Sequence, residues 1–253
     1  MMTTNDELRY EVADGIATIT INRPDSRNAL NSAVRNGIRT SLDSFANDDQ
    51  AKVLIITAVG DVAFSAGADL KEMSEQHLTI PPDDFIPDLA TRKPVIAAVN
   101  GLAFGGGFFL VQQADLVIAA DHASFGITEA RHGRGAPWAA PLPLLIPPRI
   151  ALELLLTAQP ITASRAREVG LINYVVPFPE LGTAARALAH QIAANAPLSV
   201  AAGKAMVRDT IEAVLGDARE RARTLWKPVY LSEDAQEGPH AFKEKRSPRW
   251  QGR

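Results

Sequence analysis

Residues 93–111 read KPVIAAVNGLAFGGGFFLV. From Val95 to Val111 only Asn100 interrupts an apolar and glycine run. A membrane-spanning helix needs about 20 apolar residues. This stretch is shorter and has Gly101, Gly105, Gly106 and Gly107 in its middle. It is read as a buried strand, a turn and a buried helix that opens at the three glycines. The first N–H groups of such a helix have no partner within it, and its dipole favours negative charge at that end. Glycine there admits a ligand close to the backbone. Gly-Lys-Ser/Thr is missing, so this is not a phosphate loop, and the spacing of a Gly-x-Gly-x-x-Gly dinucleotide site is missing too. On these residues alone, a tight turn with close helix packing accounts for the glycines as well as a binding site does.

Similar local patterns recur on both sides. Tyr10–Val12 and Ile16–Ile21 flank Asp14-Gly15, a hairpin signal. Val34, Ile38, Leu42 and Phe45 fall at helical spacing behind a cap at Asn31 or Ser32. Val53–Thr57 and Leu116–Ala120 are further buried-strand runs. Strands alternating with helices predict an α/β protein, and the recurring strand–turn–helix theme suits a coiled core. The five prolines Pro137, Pro141, Pro143, Pro147 and Pro148 exclude one regular helix over 137–148. Helical spacing resumes at Val207, Ile211 and Leu215, predicting a helical C-terminal portion from Pro197. The expected division is a core over 1–196 and a helical region over 197–253.

The chain has 253 residues, with 46% apolar and 22% charged, ordinary for a soluble globular protein. A formal net charge of −3 gives no general attraction to nucleic acid or anionic membranes. Any anionic ligand must be met by a few placed cations. The absence of cysteine excludes disulfides, thiolate nucleophiles and Cys-type zinc sites. His77 and His122 have no metal-ligand spacing with an acid, so no metal is expected. There is no Gly-x-Ser-x-Gly elbow for a serine hydrolase. Met1–Tyr10 is polar, without the apolar core of a secretory signal, and a cytoplasmic location is expected.

Three segments together resemble the crotonase, or enoyl-CoA hydratase/isomerase, superfamily. They are Phe64-Ser65-Ala66-Gly67-Ala68-Asp69-Leu70-Lys71; Lys93–Gly101 running into Gly105-Gly106-Gly107; and Phe125-Gly126-Ile127-Thr128-Glu129. Supporting matches are Asn22-Arg23-Pro24, Ile161-Thr162-Ala163 with Gly170-Leu171-Ile172, and Glu237-Gly238 with Phe242–Arg246. They stand in the family's order and span nearly the whole chain. The resemblance implies a spiral of repeated β-β-α units with a helical C-terminal region, assembled as a homotrimer or hexamer. It implies an acyl-CoA thioester substrate, with coenzyme A part of that substrate and no separate cofactor. The N–H groups of Ala68 and Gly106 would then hold the thioester oxygen as an enolate forms. One such donor is typically worth about 3 kcal/mol in the transition state.

The family's hydratases use two glutamates, one two residues after the glycine run and one ending the Phe-Gly-x-x-Glu segment. Here the second is Glu129, while the first position is Phe109. A hydratase glycine that helps hold water falls on Pro137 by ungapped count, or on Trp138 after a one-residue slip. Pro137 has no N–H to offer. Glu129 can carry a proton, whereas an aromatic wall cannot activate water. This departure predicts double-bond isomerisation, or a modified hydration, with a single glutamate. Decarboxylation or thioester hydrolysis, with Arg131, His132 or Arg134 assisting, stays open, as does acyl-CoA binding with little catalysis. By resemblance, Arg23, Arg27, Lys71 and a neighbouring subunit's Lys245 would hold coenzyme A phosphates. Ala66 and Asp69 belong to the same turn as Ala68. Met73, Leu78, Ile80, Phe85, Phe109 and Trp138 are expected around the acyl chain, with Pro81–Asp84 as a lid.

Overall fold

The computed structural model describes residues 3–75, 80 and 85–253; Leu78 and the expected lid at 81–84 lie outside them. The chain begins with three short strands, β1 (Thr3–Asn5), β2 (Leu8–Ala13) and β3 (Ile16–Ile21), the last two closing a hairpin over Asp14-Gly15. Helix α1 (Ser32–Asn47) follows. Asn31 caps it by accepting from the Val34 N–H at 3.0 Å. Val34, Ile38, Leu42 and Phe45 are all buried, so this helix lies on the core along the stripe its spacing predicts.

Three strand pairs come next. They are β4 (Val53–Ala58) with β5 (Ala63–Ser65), β6 (Val95–Val99) with β7 (Leu102–Phe104), and β8 (Leu116–Ala120) with β9 (Ser124–Gly126). Helix α2 (Leu70–Glu75) follows the first pair and α3 (Gly106–Gln113) the second. After β9 come α4 (Leu142–Leu145), α5 (Pro148–Thr157), β10 (Ile161–Thr162), α6 (Ala163–Glu168) and β11 (Tyr174–Val176). The chain ends in α7 (Leu181–Ala193), α8 (Pro197–Leu215), α9 (Ala218–Leu231) and α10 (Asp234–Lys243).

The strands form two sheets, a seven-stranded one in the order β1-β2-β3-β4-β6-β8-β11 and a four-stranded one in the order β10-β9-β7-β5. Each pair gives one strand to each sheet, and successive pairs stack in parallel. Ile16 is level with Val53, Leu54 with Val95, and Ile96 with Leu116. In the smaller sheet Ala63 is level with Leu102, and Leu102 with Ser124. The result is a parallel β-β-α spiral. β4 is buried except at Thr57 and β6 throughout, as expected for parallel strands covered on both faces.

Buried asparagines hold the corner where the chain passes from one sheet to the other. Asn28 donates to the carbonyls of Val59 (3.1 Å) and Ala63 (2.7 Å), and Asn100 to those of Gly60 (2.8 Å) and Ala63 (3.1 Å). These bonds satisfy turn carbonyls that would otherwise be buried without partners. The C-terminal helices pack unevenly. α7 covers the large sheet with Leu181, Ala185 and Ala189 buried, whereas on α8 Leu215 alone is buried among the described residues. α8 is tied to the core by Lys204, which reaches Asp115 (2.7 Å) and the Lys93 carbonyl (2.8 Å), and by Arg208 on Asp115 (2.8 Å). Burial works to lower the Lys204 pKa; Asp115 opposes it without fully offsetting it.

Gly107 packs α3 directly on the Ser65 carbonyl, and a Cβ there would collide with it. Gly107→Ala is expected to cost about 1–3 kcal/mol through overpacking. Gly182→Ala, at an open position of α7 with nothing within 4 Å, should be neutral or stabilising by up to about 1 kcal/mol. Thermal denaturation of the two variants beside the wild type checks this. Equal midpoints for both would contradict the packing account.

Candidate active site

The site lies where the segment after β5 meets the start of α3. Gly67 adopts φ +95°, which favours glycine, and its N–H donates to the Ser65 hydroxyl at 3.1 Å. A Cβ on Gly67 would sit 2.9 Å from the Phe104 carbonyl oxygen and 3.0 Å from the Gly106 nitrogen. The absence of that atom lets the Gly67-Ala68 turn lie against the helix end. The Gly67 carbonyl accepts from the Leu30 N–H at 2.8 Å, fixing the turn from behind. Gly106 is the first residue of α3. Among the described residues, neither the Ala68 nor the Gly106 N–H has a protein acceptor. Both residues line a cavity of 2580 Å³.

Charged side chains brace the turn. Arg23 donates to Asp69 (2.8 Å), Glu7 (3.0 Å) and the Ala29 carbonyl (2.7 Å). Burial works to raise the Asp69 carboxyl, but the Arg23 bond and the N–H groups of Glu72 and Lys71 outweigh it and hold it below the usual range. One helical turn on, burial likewise works to raise Glu72, and Ser32 and Arg35 pull it down. The Arg35 guanidinium donates to Glu72 at 3.0 Å and lies 4.1 Å from the Phe85 ring centroid. The pairing of buried Arg35 with Glu72 was not anticipated from the sequence.

Glu129 approaches from the other side. It follows β9 and begins a single 3-10 turn, Glu129–His132. A Cβ on Gly105 would lie 3.1 Å from the Glu129 Oε1, so the carboxyl stands beside the glycine that precedes α3. The Oε2 is out of solvent and has no hydrogen-bond partner. Desolvation pushes the pKa up to about 7, opposed by the N–H groups of Glu129 and Thr128 and by a hydrogen bond from the Trp138 side chain.

Phe109 lines the same cavity, with its ring centroid 5.7 Å from that of Trp138 at an interplanar angle of 32°. Trp138 also meets Phe108 edge-on at 6.2 Å. Pro137 and Trp138 lie in one 3-10 turn, Pro137–Ala139, so both positions weighed for the missing glycine line the cavity. Glu129 lines the same cavity as Phe109 and Trp138.

Arg23, Ala66, Asp69 and Lys71 line the cavity, as do Met73, Ile80, Phe85, His132 and Arg134. Arg27 does not; it is exposed at φ 49°, and its carbonyl accepts from the Ala66 N–H at 3.0 Å. Lys245 is also exposed and lies outside the cavity lining of its own chain. Burial lowers the His132 pKa, and Arg131 and Arg134 add to the effect, so the imidazole favours its neutral form. Among the described residues, no three His, Cys, Asp or Glu side chains gather as metal ligands, and no helix is long and apolar enough to cross a membrane.

The sequence reading missed one contributor. Tyr230 on α9 donates to the Gly135 carbonyl at 2.9 Å, and Trp226 packs on Gly135 beside it. Burial pushes the Tyr230 phenol up to about 12, helped by the charge of Glu129. The four-residue spacing of Trp226 and Tyr230 on a helix was visible, but the loop they press on lies more than 80 residues earlier.

An α/β spiral that brings two residues with unpaired N–H groups and a desolvated carboxyl to one cavity holds groups suited to acid–base work on a polarised carbonyl. The enoyl-CoA hydratase/isomerase family model matches residues 11–253. A carnitinyl-CoA dehydratase of Salmonella arizonae is 39% identical over 98% of this chain and 99% of its own length. The crystal structure of a carnitinyl-CoA hydratase from Mycobacterium avium superposes with a TM-score of 0.90, at 42% identity over 99% of this chain and 100% of that one. That of an enoyl-CoA hydratase from Mycobacterium tuberculosis gives 0.82, at 34% identity over 90% and 100%. The chain belongs to the enoyl-CoA hydratase/isomerase family, within the crotonase superfamily, and is an enzyme of the hydratase or isomerase type.

The raised Glu129 carboxyl has a consequence for stability. Between its unfolded value of 4.5 and about 7, the folded state holds a proton that the unfolded state has released. Stability therefore falls as pH rises through that window, and the penalty is complete above it. Glu129→Gln lacks this penalty. Its stability relative to wild type should grow by up to about 3 kcal/mol from pH 4.5 to pH 8. Urea denaturation of both proteins across that range measures it, and a pH-independent difference would contradict the buried, raised carboxyl.

Proposed function

We propose that the protein shifts the double bond of an enoyl-CoA thioester, using Glu129 as its one proton carrier. The observation behind this reading is the pairing of Glu129 with an aromatic wall, Phe109 and Trp138, where the family's hydratases have a second glutamate. In the proposed reaction the Glu129 carboxylate takes a proton from C2 of a 3-enoyl-CoA. The C2–H electrons move into the thioester, and its oxygen becomes an enolate oxygen. Ala68 and Gly106 supply two N–H donors to that oxygen. Glu129 then returns the proton to C4 as the dienolate collapses to the 2-enoyl-CoA. A carboxyl near pKa 7 is half ionised at neutral pH, which suits a group that must both accept and give back a proton. No cofactor beyond the substrate's own coenzyme A takes part.

Lys71 and Arg23 at the cavity mouth are the cations proposed for the coenzyme A phosphates, with Lys245 of a neighbouring subunit. Arg23 also serves Asp69 and Glu7, so its role there is shared. Arg27, on the outer face of its loop, has the weakest claim. Homo-oligomerisation through the helical region 197–253 belongs to the same reading. α8 exposes Met206, Val207 and Val214, apolar side chains suited to burial against another copy.

The names of the relatives favour a second reading, in which water is removed from or added to an acyl-CoA by Glu129 alone. Rates on two substrates separate the two. Isomerisation of a 3-enoyl-CoA should exceed hydration of crotonyl-CoA by at least about tenfold, and Glu129→Gln should lose about 100-fold or more of the former. Fast hydration of crotonyl-CoA with little isomerisation would establish the second reading instead.

A further inference from the structure

We propose that Arg35 is a positioning residue for the oxyanion hole: its buried guanidinium holds Leu30, and Leu30 sets the Ala68 turn against the Gly106 helix start. This rests on Ala68 and Gly106 being the donors to the thioester oxygen. Leu30 is fully buried and touches both segments. Its N–H donates to the Gly67 carbonyl at 2.8 Å, and it pairs with Ala68 in an isolated parallel bridge. Its side chain reaches the other segment: a Cβ built on Gly106 would lie 3.4 Å from Leu30 Cδ1. A shift of Leu30 would therefore move one donor against the other. Two donors serve one oxygen only when both point at the place where its charge develops, and an error of about 1 Å there is costly.

Arg35 fixes Leu30 from within α1. Its Nη1 donates to the Leu30 carbonyl at 2.6 Å and to Glu72 Oε2 at 3.0 Å, and its Nη2 to the Ser32 hydroxyl at 3.2 Å. Glu72 in turn accepts from the Ser32 N–H at 2.8 Å, so it joins the start of α1 to α2, the helix that follows Asp69. The guanidinium also lies 4.1 Å from the Phe85 ring centroid. The next residue, Ile86, covers Gly106: its Cδ1 is 2.8 Å from the position of a Gly106 Cβ. One cation thus ties down Leu30, the helix after the turn and the segment over Gly106. An apolar side chain at this buried position would avoid the cost of burying a charge. It could not hold a carbonyl, a carboxylate and a hydroxyl at once, as the forked guanidinium does.

A residue that only stabilised the fold would lower the melting temperature without touching the thioester, and this difference provides the test. The full-length protein is loaded with butyryl-CoA carrying 13C at its thioester carbonyl, and infrared difference spectroscopy follows the carbonyl stretch. In the wild type the band should lie below that of free butyryl-CoA, because two N–H donors polarise the carbonyl. In Arg35→Lys, which keeps the charge but loses the fork, the band should return at least half of the way. The kcat for 3-enoyl-CoA isomerisation should fall by about 10-fold or more with KM within about threefold, since the lost interaction belongs to the transition state. Leu42→Ala, on the core face of the same helix, should lower the melting temperature and leave the band and kcat unchanged. If Arg35→Lys does not fold, the double variant Arg35→Met with Glu72→Gln takes its place, because it leaves no bare charge buried. An unmoved band in the Arg35 variant, or an equal change in Leu42→Ala, overturns the proposal. A wild-type band at the position of free butyryl-CoA rejects the oxyanion hole and the proposal with it. A shifted wild-type band beside an unmoved variant rejects the positioning role alone. In an enzyme without isomerase activity the band decides by itself.

Discussion

Everything at the site depends on how closely two backbones approach, at Gly67 and at the start of α3. The gap between the Gly67 turn and the Gly106 nitrogen is too small for a side chain, and Gly107 leaves equally little room over the Ser65 carbonyl. Hydrogen bonding cannot create such an approach; it requires the absence of Cβ atoms. Once it exists, Ala68 and Gly106, whose N–H groups have no acceptor among the described residues, line one cavity, and the helix dipole favours negative charge at that end of α3. The spiral supplies the rest. β5 delivers the turn, β7 delivers the helix start, and the parallel pairing of those two strands sets their separation.

The two walls of the cavity use opposite electrostatics. On the turn side, Arg23 with Asp69 and Arg35 with Glu72 keep carboxylates ionised by pairing them, and those carboxylates are structural. On the opposite side Glu129 has no cation among the causes of its shift, and burial keeps it near the point of half-ionisation. A paired carboxylate is a poor proton carrier because its partner opposes protonation. An unpaired buried one changes state at little cost near neutral pH, and the fold pays for that with lower stability in the ionised form.

Long features were legible in the sequence, and short or distant ones were not. Strands β4, β6 and β8 appear as apolar runs, and α1 as a spaced stripe with its Asn31 cap. Strands β5, β7 and β9 have three residues each, too few to show any period, so the second sheet could not be read from pattern alone. The glycines at 105–107 marked a helix start, but their meaning came from the opposing Gly67-Ala68 turn, 37 or more residues earlier in the chain. That Arg23 also pairs with Glu7 and Asp69 is not visible in the sequence, where 15 or more residues separate them. Tyr230 and Trp226 carry no local signal of a role at the site. The spiral makes them part of the site by bringing α9 against the loop at Gly135, a long-range contact that no local pattern encodes.

The aromatic wall bears on which reaction the fold serves. Hydration needs a water held by groups that accept its protons and another group that gives one to carbon. Phe109 stands where the family's hydratases have the second carboxyl, and a phenyl ring packed on Trp138 cannot accept a proton from water. The same packing desolvates Glu129, which raises its proton affinity toward that of a group able to take a proton and return it. In the proposed reaction, the missing water-handling group and the raised proton affinity of Glu129 work together. Glu129 itself is desolvated, with its pKa raised to about 7, the setting the proposed reaction needs in one group that takes a proton and returns it.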